Sequence, residues 1–386
     1  MMKKLRNHFK MLRKITYFDN AALCLKPDMA IKASTDFYKK YSVSVRTNNA
    51  PLGIQNIAII NSLRKKICDL LETNIDETKI IFTSGTTASL NMFALMIQSK
   101  LKAGDEILLS SFNHSSNFVP WIEISKKTGA KIIVKNDLLN NINDKTKVIA
   151  FAQMNNNFNV STDMKLIKQK AESVGAIIVN DAAQAIVYEP VRAKFSDVIA
   201  FSCNKFYGPT GLGVLAIKND LLKKLEPVFF GGGSVLNIDK SCTWIKNDSI
   251  DLFESGTANF AGIYMFDKAL DFFNTYLGYE KTQKILNDLS NYAYKKLSKI
   301  PNIQIYTQPN DHIILFNIKG VDSHDIAHYL GTQNIYVRSG LFCAYYVRNI
   351  TQENSYVRVS LGVYNNKKEI RKLVDSLEKG GDFIVI

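Results

Sequence analysis

Ala176-Ile177-Ile178-Val179-Asn180-Asp181 and Val198-Ile199-Ala200-Phe201-Ser202-Cys203-Asn204-Lys205-Phe206-Tyr207-Gly208-Pro209-Thr210-Gly211-Leu212-Gly213 are the two stretches whose reading decides the fold. Each begins as a short apolar run and ends abruptly in polar residues, as a strand running into a loop does. The second passes through a Gly-Pro turn into another apolar run at 214–217. Outward from these, similar runs recur at 79–82, 106–109, 131–134 and 147–152, separated by helical patterns. This alternation predicts an α/β fold with a large, mostly parallel sheet. A helix over 263–297 is expected to lead into a smaller α+β domain. That domain would hold strands at 303–306, 313–318, 336–337 and 356–361, and helices at 323–330 and 367–379. The division expected is a large domain over 20–262 and a small one over 1–19 and 263–386, with the ligand cleft between them.

The carboxyl edge of such a sheet is where ligands bind. Lys205 stands there, between rigid flanks, where an amine whose pKa is lowered can form an imine with an aldehyde. A lone lysine among 49 Lys and Arg would read as a solvated turn residue; its company changes that. Asp181 ends the preceding strand, and small residues, Ala182 and Ala183, follow it. Alone it would read as a helix cap. Paired with an imine-forming lysine, it suits a pyridine nitrogen that must stay protonated, as in pyridoxal phosphate. Ser84-Gly85-Thr86-Thr87-Ala88-Ser89-Leu90-Asn91 opens a helical pattern and offers backbone N–H groups, hydroxyls and a helix dipole to a phosphate. It is neither a P-loop nor a dinucleotide fingerprint. Asn113-His114-Ser115-Ser116-Asn117-Phe118-Val119-Pro120-Trp121 places one imidazole just past a strand, where a flat ring could stack on a cofactor.

In order and spacing these segments resemble the class V aminotransferase fold, which is fold type I of the pyridoxal-phosphate enzymes. The chain is most similar to group II (SufS-type) cysteine desulfurases. The resemblance runs from Tyr17-Phe18-Asp19-Asn20-Ala21-Ala22 to Arg358-Val359-Ser360-Leu361-Gly362-Val363-Tyr364-Asn365. It takes in Gly231-Gly232-Gly233-Ser234 and Phe253-Glu254-Ser255-Gly256-Thr257-Ala258-Asn259. It implies conversion of L-cysteine to L-alanine, with the sulfur held as an enzyme persulfide and passed to an acceptor. By the same resemblance, Lys205 would carry the cofactor, Asp181 would face its ring nitrogen, and Gln184 and Asn156 its hydroxyl. His114 would cover the ring face; Thr86, Thr87, Ser202 and Asn204 would surround the phosphate. Thr257 would reach the phosphate of the other subunit in a homodimer. Arg358, with Arg338, would hold the substrate carboxylate. Cys343, in Val337-Arg338-Ser339-Gly340-Leu341-Phe342-Cys343-Ala344, would be the sulfur nucleophile on a glycine-hinged loop. Lys205, Cys343 and His114 would form the catalytic set. The acceptor implied is a sulfur carrier or an iron–sulfur scaffold protein. Alternatives are a selenocysteine lyase or an aminotransferase of the same fold, or a non-catalytic basic binding protein.

Several positions depart from the family pattern. Asn204 stands where a histidine is usual before the lysine, and Leu341 and Phe342 where two histidines are common before the cysteine. Gln153 also replaces a usual histidine, and no histidine follows Arg46. Composition agrees with a cytoplasmic enzyme: 386 residues are enough for a large core, and 46% are hydrophobic. No apolar run nears the roughly 20 residues of a membrane-spanning helix. The basic run 1–14 has no apolar h-region, so no secretory signal is expected there. Five irregularly spaced cysteines suit a reducing compartment and show no metal-ligand spacing. The net charge of +14 is scattered rather than gathered with aromatics into a stripe, so neither nucleic acid nor membrane is the expected partner. No internal repeat or low-complexity segment is found.

Overall fold

The computed structural model describes residues 5–160 and 162–380. Its centre is a seven-stranded sheet built from β1 (Thr78–Thr83), β2 (Glu106–Ser110), β3 (Lys131–Lys135), β4 (Thr146–Ala152), β5 (Ile177–Asp181), β6 (Val198–Ser202) and β7 (Gly213–Lys218). The order across it is β1-β7-β6-β5-β4-β2-β3. β7 alone runs against the direction of the other six strands. The short apolar runs are explained by two-sided burial. Ile199 and Phe201 enter the core on one face of β6, while Val198 and Ala200 enter that on the other. Alternate residues of a strand point to opposite faces, so a strand covered on both sides has no polar positions to give.

A second, four-stranded antiparallel sheet contains β8 (Ile303–Ile305), β9 (Ile313–Ile318), β10 (Arg338–Gly340) and β11 (Tyr356–Ser360), in the order β8-β9-β11-β10. The N-terminal segment is tied to this part of the chain. Thr16–Tyr17 pairs with Ile335–Tyr336, and Asp19 bridges to Ser360. Of the basic run expected at 1–14, residues 1–4 lie outside the described residues; Phe9 is buried against Tyr364, Tyr207 and Phe272.

Two expectations from the sequence need correcting. The single helix over 263–297 is two helices, Phe260–Tyr276 and Tyr279–Leu297. They are separated at Gly278, whose φ of 72° is open to glycine at little cost. The apolar periodicity runs through the break, which hides it in the sequence. The strand expected at 336–337 is split between sheets: Tyr336 pairs with Tyr17, and Arg338 begins β10.

One close approach sets the edge at which the site forms. Gly213 pairs with both Thr83 and Ser202, which closes three strand ends together. A Cβ on Gly213 would lie 2.4 Å from the Cα of Gly85. Gly85 precedes the helix Thr86–Ile97, so the fit fixes where that helix starts. Gly213→Ala is therefore expected to cost about 1–3 kcal/mol through overpacking. A thermal unfolding midpoint unchanged from the parent would show that the turn at Gly85 gives way freely.

Candidate active site

The carboxyl ends of β1, β2, β4, β5 and β6 converge, and the loops that leave them enclose a cavity of about 250 Å³. The second sheet closes the other side with Arg338 from β10, Arg358 from β11, and the turn carrying Phe342 and Cys343. Every site residue expected from the sequence lines this cavity except Thr257. Thr257 is exposed, in the segment leading to helix Phe260–Tyr276. Cys203 is fully buried and takes no part in the cavity wall.

Among the described residues, three groups in the cavity keep a charge-bearing atom or a polar hydrogen without a partner. The amine of Lys205 makes no hydrogen bond or ion pair. Burial pushes its pKa down; Asp181 opposes this, and Arg358 and Arg338 add to it. Asp181 is buried, accepts one hydrogen bond from the Ala183 N–H at 3.0 Å, and forms no ion pair. Burial raises its pKa, against the pull of Lys205. Arg358 is 1% exposed and its Nε–H has no acceptor. Buried charges are costly unless paired, so such a set points to an absent ligand with complementary groups.

The arginine is held from several sides. Its guanidinium donates to Asp19 at 2.7 Å and to the Asn156 carbonyl at 3.0 Å. It also lies 4.5 Å from the ring centre of Phe342. Arg338 is its direct cross-strand partner and makes no ion pair of its own. Like charges directly opposed destabilise a sheet, and an anion between them relieves the repulsion.

At the opposite end, hydroxyls and backbone N–H groups gather. The Thr86 N–H donates to Ser202 Oγ at 2.7 Å, and the two hydroxyls of Thr86 and Ser202 are also 2.7 Å apart. Thr87 Oγ1 lies 2.7 Å from Ser116 Oγ. The helix Thr86–Ile97 directs its N-terminus here, where an anion is favoured. A Cβ on Gly85 would sit 3.2 Å from Ser202 Oγ, so glycine keeps this cradle open.

The residues fit pyridoxal phosphate as a group. The cradle suits its phosphate, the lone carboxylate of Asp181 suits a protonated ring nitrogen, and Lys205 suits its aldehyde. Asn204 lines the cavity, and its amide donates to the Ala22 carbonyl at 3.3 Å. Gln184 donates to the Ala21 carbonyl at 2.8 Å and Asn156 to the Phe342 carbonyl at 2.7 Å. Gln153 bonds to Asn180 and Glu189 and does not reach the cavity.

Sequence reasoning missed several neighbours. Asn155 lines the cavity with a buried, unpartnered Oδ1. Asp19 is the counter-ion of Arg358 across 339 positions of sequence. Ser116 lies within the segment singled out around His114, yet its role needs the fold: its N–H donates to His114 Nδ1 at 3.1 Å. That bond leaves the ring proton on Nε2.

His114 is also subject to a large shift. Burial, helped by Lys205, Arg338 and Arg358, pulls its pKa down to about 4. The imidazole is neutral at physiological pH. Below the unfolded-state value of about 6.5 the unfolded chain binds the extra proton and the folded chain does not. Stability should therefore fall as pH drops from about 6.5 towards 4. In His114→Asn that decline should be shallower, as read by denaturant midpoints across the range. A His114 ring resonance titrating near 6.5 would contradict the assignment.

The aminotransferase class-V family model matches residues 16–373. A probable cysteine desulfurase of Ureaplasma parvum serovar 3 is 36% identical over 385 residues, covering 96% of this chain and 95% of the relative. One of Mycoplasma genitalium is 33% identical over 382 residues, covering 95% and 92%. Among solved structures, the cysteine desulfurase CsdA (S-sulfonic acid) from Escherichia coli superposes with a TM-score of 0.92 at 27% identity, covering 100% of this chain and 99% of that one.

Proposed function

The chain belongs to the aminotransferase class-V family, and from that premise we propose that it is a pyridoxal-phosphate-dependent cysteine desulfurase. The observation that carries this reading is one cavity lined by an amine without a partner among the described residues, a buried carboxyl group without a counter-ion among them, and a part-exposed thiol: Lys205, Asp181 and Cys343. The amine and carboxylate support the cofactor. The thiol supports sulfur transfer, since amino transfer has no use for it.

When bound, pyridoxal phosphate supplies an aldehyde for exchange between amines and a conjugated ring that takes up the charge left at Cα. Thr86, Thr87 and Ser202 would hold its phosphate, Asp181 would face its ring nitrogen, and neutral His114 would cover the ring. Arg358 and Arg338 bind the carboxylate of L-cysteine, which orients its Cα proton and its sulfur. Lys205 has a depressed pKa, so its amine can be neutral and accept the Cα proton at Nζ. The Cys343 thiolate attacks the substrate sulfur. An S–S bond forms as the substrate Cβ–S bond breaks, and that bond's electron pair passes to the carbon side. Protonation at Cβ and return of a proton to Cα from Lys205 Nζ give L-alanine, and Cys343 keeps the sulfur as a persulfide until an acceptor thiol takes it.

The remaining parts of the reading are a cytoplasmic setting, a sulfur-carrier or iron–sulfur scaffold acceptor, and two domains divided as the sequence suggests. A homodimer is also part of it. Exposed Phe229, Phe230, Leu236, Ile238 and Ile245 cluster in the segment around the hairpin Val235–Ile238 and Trp244–Lys246, as a buried subunit contact would require. Thr257 then serves the partner's phosphate site from outside its own cavity. Among the described residues no helix is long and apolar enough to cross a membrane.

Purified protein should be yellow and release alanine and sulfide from L-cysteine with reductant present. Cys343→Ala should keep the absorbance and lose sulfide release at least about 100-fold; amino transfer surviving in that variant would favour an aminotransferase. Lys205→Ala should lose the bound-cofactor absorbance, and parent protein that takes up no added cofactor would leave only a binding role. Thr257→Ala should weaken cofactor affinity in a titration. A monomer by light scattering with unchanged affinity would remove the dimer from the scheme.

A further inference from the structure

Cys343 is not on a loose loop. Phe342 and Cys343 are consecutive left-handed residues, with φ of 54° and 60°, and neither is glycine. That backbone is unfavourable for a residue with a Cβ and persists only when its surroundings impose it. The surroundings are visible. Asn156 donates to the Phe342 carbonyl at 2.7 Å, and the Arg358 guanidinium lies over the Phe342 ring. The Cys343 carbonyl receives two bonds from one residue, from the Ser115 N–H at 2.6 Å and the Ser115 hydroxyl at 2.7 Å. Both acceptor positions of that oxygen are thus filled.

We propose that Ser115 is a positioning residue for the sulfur nucleophile, clamping the Cys343 carbonyl so that the thiol is presented from a fixed turn. The clamp is set next to His114, whose ring is fixed in turn by Ser116 at 3.0 Å. One segment of three residues therefore fixes both the imidazole over the cofactor face and the cysteine that attacks. Their separation is thus set in part by one short stretch of backbone. This inference rests on the desulfurase reading only for its consequence in turnover; the clamp itself acts on the thiol whatever the substrate.

The test uses holoenzyme in a Cys242→Ser background, since Cys242 is exposed whereas Cys24, Cys68 and Cys203 are buried. Ser115→Ala removes one of the two bonds and leaves the backbone bond, so the fold should survive. In the absence of L-cysteine, iodoacetamide should alkylate Cys343 about tenfold faster in Ser115→Ala, because the turn opens more often. With L-cysteine, persulfide formation in a single turnover should slow about tenfold, with KM and cofactor absorbance within about twofold. Ser115→Thr keeps the hydroxyl and should match the parent in both assays. Alkylation of Ser115→Ala within twofold of the parent overturns the proposal, as does equal impairment of Ser115→Thr and Ser115→Ala. An alkylation difference in a protein that fails to desulfurate cysteine would sustain the clamp and sink the functional reading.

Discussion

Lys205 and Asp181 bring an amine and a carboxyl group from the ends of adjacent strands into one cavity, yet among the described residues neither forms an ion pair. A folded chain ordinarily removes such a cost by pairing the two or by exposing both. Here the strand register keeps each in place. Asp181 pairs with Ala200 across β5 and β6, while Lys205 stands beyond the end of β6 in the turn after Ser202. Each charge is left to whatever occupies the space between. Burial then works in opposite directions, lowering the amine's pKa and raising the carboxyl's, so both are primed for a ligand with a complementary group.

The rest of the architecture shapes the two ends of that space. At one end, Gly213 lies against Gly85 and sets the start of the helix whose N-terminal N–H groups favour an anion. At the other end, β10 and β11 bring two arginines into direct register. Asp19 balances one of them, and among the described residues the Nε–H of Arg358 has no acceptor. The departures from the family pattern become intelligible in this light. Phe342 stands where a histidine is common, and its ring packs under Arg358. It gives up a local cation beside the thiol and gains a tighter hold on the turn. Ser115 grips the same turn from the segment after β2.

How much of this was legible in the sequence depended on separation along the chain. Lys205, Asp181, His114, Thr86 and Thr87 follow apolar runs closely, so finding the strands located the residues. Gly278 shows where the same method fails: the apolar pattern continued through the break between two helices, and only its left-handed backbone marked the division. Asp19, Asn155 and Ser115 were passed over because no local pattern distinguishes them. Their partners lie in other elements, as with the 228 positions between Ser115 and Cys343.

Local order along the chain thus determined the parallel sheet, its ligand-binding edge, the lysine, the carboxylate and the phosphate cradle. These follow from strand periodicity and from the fact that a strand delivers its last residues to a known edge. Tertiary structure alone decided which charges stay without partners, which arginine has a counter-ion, and what grips the cysteine turn. Those outcomes depend on distances between groups hundreds of residues apart, and such distances exist only once both sheets have packed.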